Sequence, residues 1–496
     1  MGLLSRLAEK LGTKTAAPPV NVRSTGFSAA DYSRVTSSLV GETRHINDII
    51  RWQGPTLLAR ARQMARNNPY AAKFLKMVEV NVCGPNPFNL QGQIKSVKTG
   101  KPDSGANELI ENAWYRWGRP ANCDRYGKSS LKDIYRLLAR TLAQDGEILI
   151  RHHEGRNAGQ FGYQVQLIDI DRLDWDRTEQ LPGGGAIYCG IELDADGRVL
   201  AYHISKKRPA DWQLNFRSRD SERIPASQIT HEFIQWLPEQ VRGVPWMTTA
   251  MLNLHQLGAF EEAAVIAARV GAAKMGFFEK NDPAAEYTGE KDSSGAKITD
   301  AEPGTFEELP AGLTFKEWNP NYPDAQVGPF IQACLRGVCA GLNVSHPILG
   351  QDFSAVNFSS LRGATLEERD NWMMIQDWFV EHICMPIYER WLQNAVLSGA
   401  LSLNGPLDKY YSVYFQPRRW SWVDPLKDIE AATTAIQWGL KSRTMVANES
   451  GLDISDIFDQ IAAETKLAED KNVSITPESP TQGGTTDGTA PDQTGQ

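Results

Sequence analysis

The chain has 496 residues, 41% hydrophobic and 23% charged, with a formal net charge of −8 and a pI near 5.6. That length supports two or three packed units around a sizeable core. The acidic balance excludes wholesale non-specific adhesion to nucleic acid but leaves local contact open. Six scattered cysteines form no CxxC pair, which argues against a disulfide framework or a zinc ribbon.

Residues 1–45 are polar and Ser/Thr-rich and are expected to be extended and flexible. The opening MGLLSRLAEKLGTK reads as a short amphipathic helix without a signal-peptide core, and Arg6 stands where a myristoylation motif needs Ser or Thr. Helical patterning runs over 55–82, where Asn68-Pro69 breaks it into two helices and Gly84 stops the second. Further helices are expected at about 104–118 and 129–144. Residues 147–204 carry short antiparallel strands with turn signals LPGGG and DADG, and ITHEFIQW (229–236) is expected to continue their sheet.

A long helix is expected from Pro245, a favoured first-turn proline, to about Lys274. The window 263–279 is the most apolar of the chain, but Arg269 and Lys274 interrupt it, so no membrane span is expected. An acidic, Gly/Pro-interrupted insertion (276–325) follows, then a helix over 326–342 with one continuous apolar face. After the charge-poor stretch 343–358 comes another long helix, about 360–398, with a kink at Pro386. An aromatic strand at 409–423 precedes short helices over 425–470, and the tail 471–496 has too few apolar residues to fold.

The stretch between the last two long helices is the most informative. From 325 to 361 there is one basic residue, Arg336, and one carboxylate, Asp352. Such a loop is a lid over a small-molecule site, a buried plug, or a surface that touches something without gripping it.

Chemistry-bearing motifs are weak elsewhere. Asp169, Asp171, Asp174 and Asp176 offer a D-x-D at a strand end that could hold a divalent ion, but Asp174 and Gln180 stand where an EF-hand loop needs Gly and Glu. Gly183-Gly184-Gly185 lacks the following GK[ST] or helix of a phosphate loop and reads as a hairpin turn. His152 and His153 are adjacent on a strand and face opposite ways, and no GxSxG or HExxH occurs. No enzyme and no cofactor are expected. The competing reading is a metal-dependent enzyme built on Asp169–Asp176 with 343–358 as its lid.

Several strings, in order along the chain, resemble the lambda-type portal proteins of tailed bacteriophages. They are ARNNPYAAKFLKMVEVNVCG (65–84), AQDGEILIR (143–151), QVRGVPWM (240–247), NFSSLRGATLEERD (357–370), WVDP (422–425) and GLKSRTMVANESGLD (439–453). The resemblance implies an α+β portal-type subunit: a mixed α/β wing (46–244 and 359–424), a two-helix stem (245–275 and 326–342), a small clip (276–325), a tunnel loop (343–358) and a helical crown (425–470). It implies assembly into a homo-oligomeric ring, commonly a dodecamer, at the portal vertex of the virion, built in the host cytoplasm. Double-stranded DNA would pass through that ring. Implied partners are the terminase large subunit, the major capsid and scaffolding proteins and the head–tail connector; no membrane is involved.

In that frame Asn343, Ser345, His346, Gln351, Asp352, Ser354 and Asn357 would line the DNA channel, where missing cationic charge avoids phosphate capture. Arg336 and Arg362 are the nearest candidates for phosphate contact, or alternatively pair with carboxylates of an adjacent subunit. Glu286, Glu290, Asp292, Asp300 and Glu302 of the clip would face the motor and then the connector.

Overall fold

The computed structural model describes residues 41, 43–96, 100, 102–206, 221–272, 276–280, 313–317, 327–354, 356–420, 425–450 and 452–471. The chain divides into a small unit, Met1–Ile49, and a large one, Ile50–Gln496. All the described sheets, and all the described helices beyond the first turn of the first, belong to the large unit.

Helix α1 (Ile46–Asn67) buries Ile50, Leu58, Ala61 and Ala65, an apolar stripe at helical spacing. It ends where Asn68 leaves helical geometry and its side chain accepts from Ala71 N, capping α2 (Pro69–Val78) with proline in the first turn. A π-helical turn, Glu79–Cys83, extends α2 until Gly84 at φ 67° stops it. Strand β1 (Asn89–Gly92) then leads to α3 (Ser104–Trp117) and α4 (Leu131–Asp145). A capping box between Ser130 and Asp133 starts α4, and left-handed Gly146 ends it.

The expected β region separates into two antiparallel sheets. β2 (Ile148–Glu154) lies between β3 (Tyr163–Ile168) and β9 (Ile229–Glu232). The second sheet runs β4 (Glu179–Gln180), β5 (Ala186–Tyr188), β6 (Ile191–Leu193), β7 (Val199–Ser205), β8 (Ser221–Pro225). Leu149, Ile168, Leu173, Ile191, Tyr202, Ile204 and Ile224 share one core cluster, so the two sheets bury apolar faces together.

A buried charge cluster determines where β9 goes. In the register of β2 with β9, His231 stands opposite Leu149, and its Nε2 lies 2.8 Å from Glu147 Oε2. Arg242, with no exposed surface, donates to both Glu147 oxygens at 2.6–3.0 Å, and its guanidinium carbon sits 3.5 Å from the Trp175 ring centroid. Gly243 N donates to the same carboxylate at 2.9 Å. The backbones touch here: a Cβ on Gly146 would collide with Val244 C, and one on Gly243 would collide with Gly146 O. The D-G-E and R-G-V strings are therefore two halves of one joint.

From this joint the chain enters a series of turns, with Thr248 Oγ1 donating to Pro245 O, before α5 begins. Helix α5 spans Met251–Ala272, shorter at its start than the expected helix from Pro245. β10 (Gly276–Lys280) and β11 (Leu313–Glu317) form an antiparallel pair, and α6 (Val327–Leu342) returns along α5. Thr249 Oγ1 donates to Gly341 O while the Phe260 and Phe330 rings meet at 4.8 Å, so the two helices run antiparallel. A short helix α7 (His346–Gly350) interrupts the expected loop before α8 (Phe358–Phe379).

Between α8 and α9 (Met385–Leu397) lies a second π-helical turn, Val380–Cys384. The expected disturbance at Pro386 is met just upstream, where wider π pairing accommodates the proline. Residues of α3, α4, β3 and α9 enclose an aromatic core of Trp114, Trp117, Tyr163, Tyr388 and Trp391, in which Trp117 Nε1 donates to Tyr163 O. The aromatic strand is shorter than expected: β12 (Val413–Gln416) pairs only with β1. Helices α10 (Pro425–Gln437), α11 (Arg443–Glu449) and α12 (Ile454–Asp470) complete the described chain.

Replacing Arg242 with Met should cost about 3–5 kcal/mol, because Glu147 would be left charged and buried; chemical denaturation measures it. Acid dependence follows from three groups. Burial favours a neutral Glu147 carboxyl, but Arg242 and His231 outweigh it and hold the pKa at about 2, from an ordinary 4.5. Burial lowers His152 from 6.5 to about 3. Burial raises Glu232 from 4.5 to about 7. As pH falls from 6.5 to 4.5, His152 loses stability while Glu232 gains it; below 4.5, Glu147 and His152 both lose. The denaturation midpoint should therefore fall steeply only below about pH 4.5, and Glu232→Gln should make the decline begin near 6.5.

Candidate functional site

The stretch 343–357 is held at both ends and in the middle. Asn343, at φ 54°, turns the chain out of α6, and asparagine tolerates that left-handed geometry better than most residues. Ser345 then docks on Glu368, a nearly buried carboxylate of α8, through its backbone N at 3.0 Å and its Oγ at 2.5 Å. The other Glu368 oxygen accepts from Trp372 Nε1 at 3.0 Å, one turn along the same helix. Helix α7 packs on α6: a Cβ on Gly350 would lie 2.8 Å from Leu335 Cδ2.

The polar side chains of the stretch have internal partners. Gln351, also left-handed at φ 54°, donates to Ile348 O at 2.7 Å. Asp352 accepts from Gln332 of α6 at 2.7 Å and from both N and Oγ of Ser354, which lower its pKa. Asn357 caps α8 by accepting from Ser360 N at 2.7 Å. The abundance of Asn, Ser and Gln thus has a local cause: these residues form turns and caps.

Arg336 is exposed on α6, with no ion pair among the described residues. Arg362 pairs with Asp428 of α10 in the same chain at 3.1 Å. The acidic residues Glu286, Glu290, Asp292, Asp300 and Glu302 lie outside the described residues. Reading the sequence missed Glu368 as the anchor of the loop, although its position four residues before Trp372 is a helical pairing that could have drawn attention.

Asp169 is taken up by structure. It caps the turn Ile170–Arg172 and pairs with Arg62 at 2.6 Å, and Arg62 also holds Asp145. Among the described residues, no group of three or more His, Cys, Asp and Glu side chains is arranged to hold a metal ion. The geometry does not favour the metal-enzyme reading. None of the described helices is long and apolar enough to cross a membrane.

Glu368→Ala should strand the Ser345 and Trp372 donors, at about 1–3 kcal/mol for each group left unpaired. Limited proteolysis should then cut within 343–357 faster than in the parent chain.

Comparison with known proteins places this geometry. Residues 32–376 match the profile described as phage portal protein, lambda family. The chain is 30% identical over 483 residues to the probable portal protein of Halomonas phage phiHAP-1, covering 94% of this chain and 92% of the relative. It is 21% identical to portal protein B of Escherichia phage lambda, covering 82% of this chain and 83% of that protein. Among solved structures, a chain from the neck of an empty gene transfer agent particle aligns with TM-score 0.42 and 12% identity, over 81% of this chain and 93% of that one. The family match over most of the chain and the full-length relative together establish that this protein belongs to the lambda family of phage portal proteins.

Proposed function

We propose that the chain is the subunit of a ring-shaped portal at one capsid vertex, through which double-stranded DNA is packaged and later ejected. Its role is structural, with no chemical step of its own. In this reading α5 and α6 form the stem, 276–325 the clip that meets the terminase motor and then the head–tail connector, and α10–α12 the crown. The wing comprises 46–244 and 359–424, and the 343–358 stretch is the tunnel loop facing DNA. Capsid and scaffolding proteins would contact the wing.

One observation carries the channel assignment. From 337 to 361 the chain has no lysine or arginine, and its one carboxylate, Asp352, is engaged by Gln332 and Ser354. A ring of such loops offers sliding DNA neither a phosphate trap nor a fixed repulsive charge. Each added cation would release counterions on contact, with a salt slope of roughly 0.9 per phosphate, multiplied around the ring. Because Asn357 is a helix cap, the clean test is at exposed Gln351. Gln351→Lys should slow or stall packaging in a salt-dependent way while leaving ring assembly unchanged, and Gln351→Glu should not stall it. Packaging rates for Gln351→Lys equal to the parent at low salt would sink the channel assignment.

A further inference from the structure

The described surface holds one aromatic-walled groove that the fold itself leaves open. It encloses about 470 Å³ at the base of α5 and the end of α6, between Trp236, Trp246, Leu342, Trp372, Met374 and Trp378. No residue lining it is charged, and Met374 is 74% exposed at its edge. So large an uncharged concavity is an unfilled binding surface rather than ordinary surface texture.

The same chain carries a matching projection. Phe353 is 49% exposed, the one large apolar side chain standing out from the polar turn 351–354. No charged residue occurs from 353 to 361, so both surfaces can be dehydrated without burying an ion. The groove rim includes Leu342 and Asn343, which open the stretch that Phe353 closes. Groove and projection therefore lie at the two ends of one short segment. They are different surfaces, as a head-to-tail contact between identical copies requires.

On the ring reading above, we propose that Phe353 of one copy inserts into the tryptophan-lined groove of the next, locking neighbouring tunnel loops together. The occupant is a second copy of this chain and not an unrelated protein, because the uncharged groove and the uncharged projection come together on one segment that a ring rotation repeats. The contact would give each loop an external anchor in addition to Glu368.

The test combines Phe353→Cys with Met374→Cys in the full chain, oxidised by copper phenanthroline and run on a non-reducing gel. The double variant should give a ladder of multimers that neither single variant gives, the native cysteines being common to all three. Phe353→Asp should raise the protein concentration at which rings fall apart by roughly tenfold or more, read by mass photometry. Rings that form normally with no ladder, and with Phe353→Asp indistinguishable from the parent, would overturn the insertion and leave the ring reading standing. A parent chain that forms no rings under any assembly condition would overturn both.

Discussion

The joint between Glu147 and Arg242 is the contact on which the arrangement of this subunit depends. Both side chains are almost completely buried, and taking them out of water costs several kcal/mol per ion. The cost is offset because the carboxylate is fully used, by Arg242, His231 and Gly243 N, while the guanidinium also lies over Trp175. What the joint supplies is direction. It ties the end of α4, the start of β2, the strand β9 and the turn into α5 to one point, and so sets the direction in which the α5–α6 pair leaves the body. Apolar side chains of similar volume would bury as much surface without defining that geometry.

The helices were legible because their signals are local. Asn68-Pro69, Ser130 with Asp133, Gly84 and Gly146 each act within a turn of their own position, and each ended or started a helix where the sequence indicated. The sheets were less legible. Whether β9 joins β2 or the five-stranded sheet depends on His231 meeting Glu147, residues 84 apart in sequence, and no periodicity encodes that. Pro245 misled for a similar reason. It has the geometry of a helix start, but the close approach of Val244 to Gly146 uses the following residues for turns, and α5 begins at Met251.

The loop shows what composition conveys and what it conceals. Its poverty of charge was plain from residues 325–361 alone. Its richness in Asn, Ser and Gln suggested surface contact, yet Gln351, Asp352, Ser354 and Asn357 satisfy turns, caps and one tie to α6. Both properties serve one end. A segment whose hydrogen bonds close on itself can be short of charge and still hold a defined shape, since it needs no ion pair to fix it. Glu368 supplies the one strong anchor, from inside the body where DNA would not meet it.

The π-helical turn Val380–Cys384 bears on which length changes the long helix can absorb. A π turn is an α-helix carrying one extra residue. Deleting a single residue there would restore regular α pairing and keep Tyr388 and Trp391 facing the aromatic core. Pro386 stands in the way. In an uninterrupted α-helix it would clash with the preceding turn, at a cost on the order of 3 kcal/mol. The inserted residue and the proline are thus a matched pair, and a shortened helix is compatible with this core only if the proline is replaced as well.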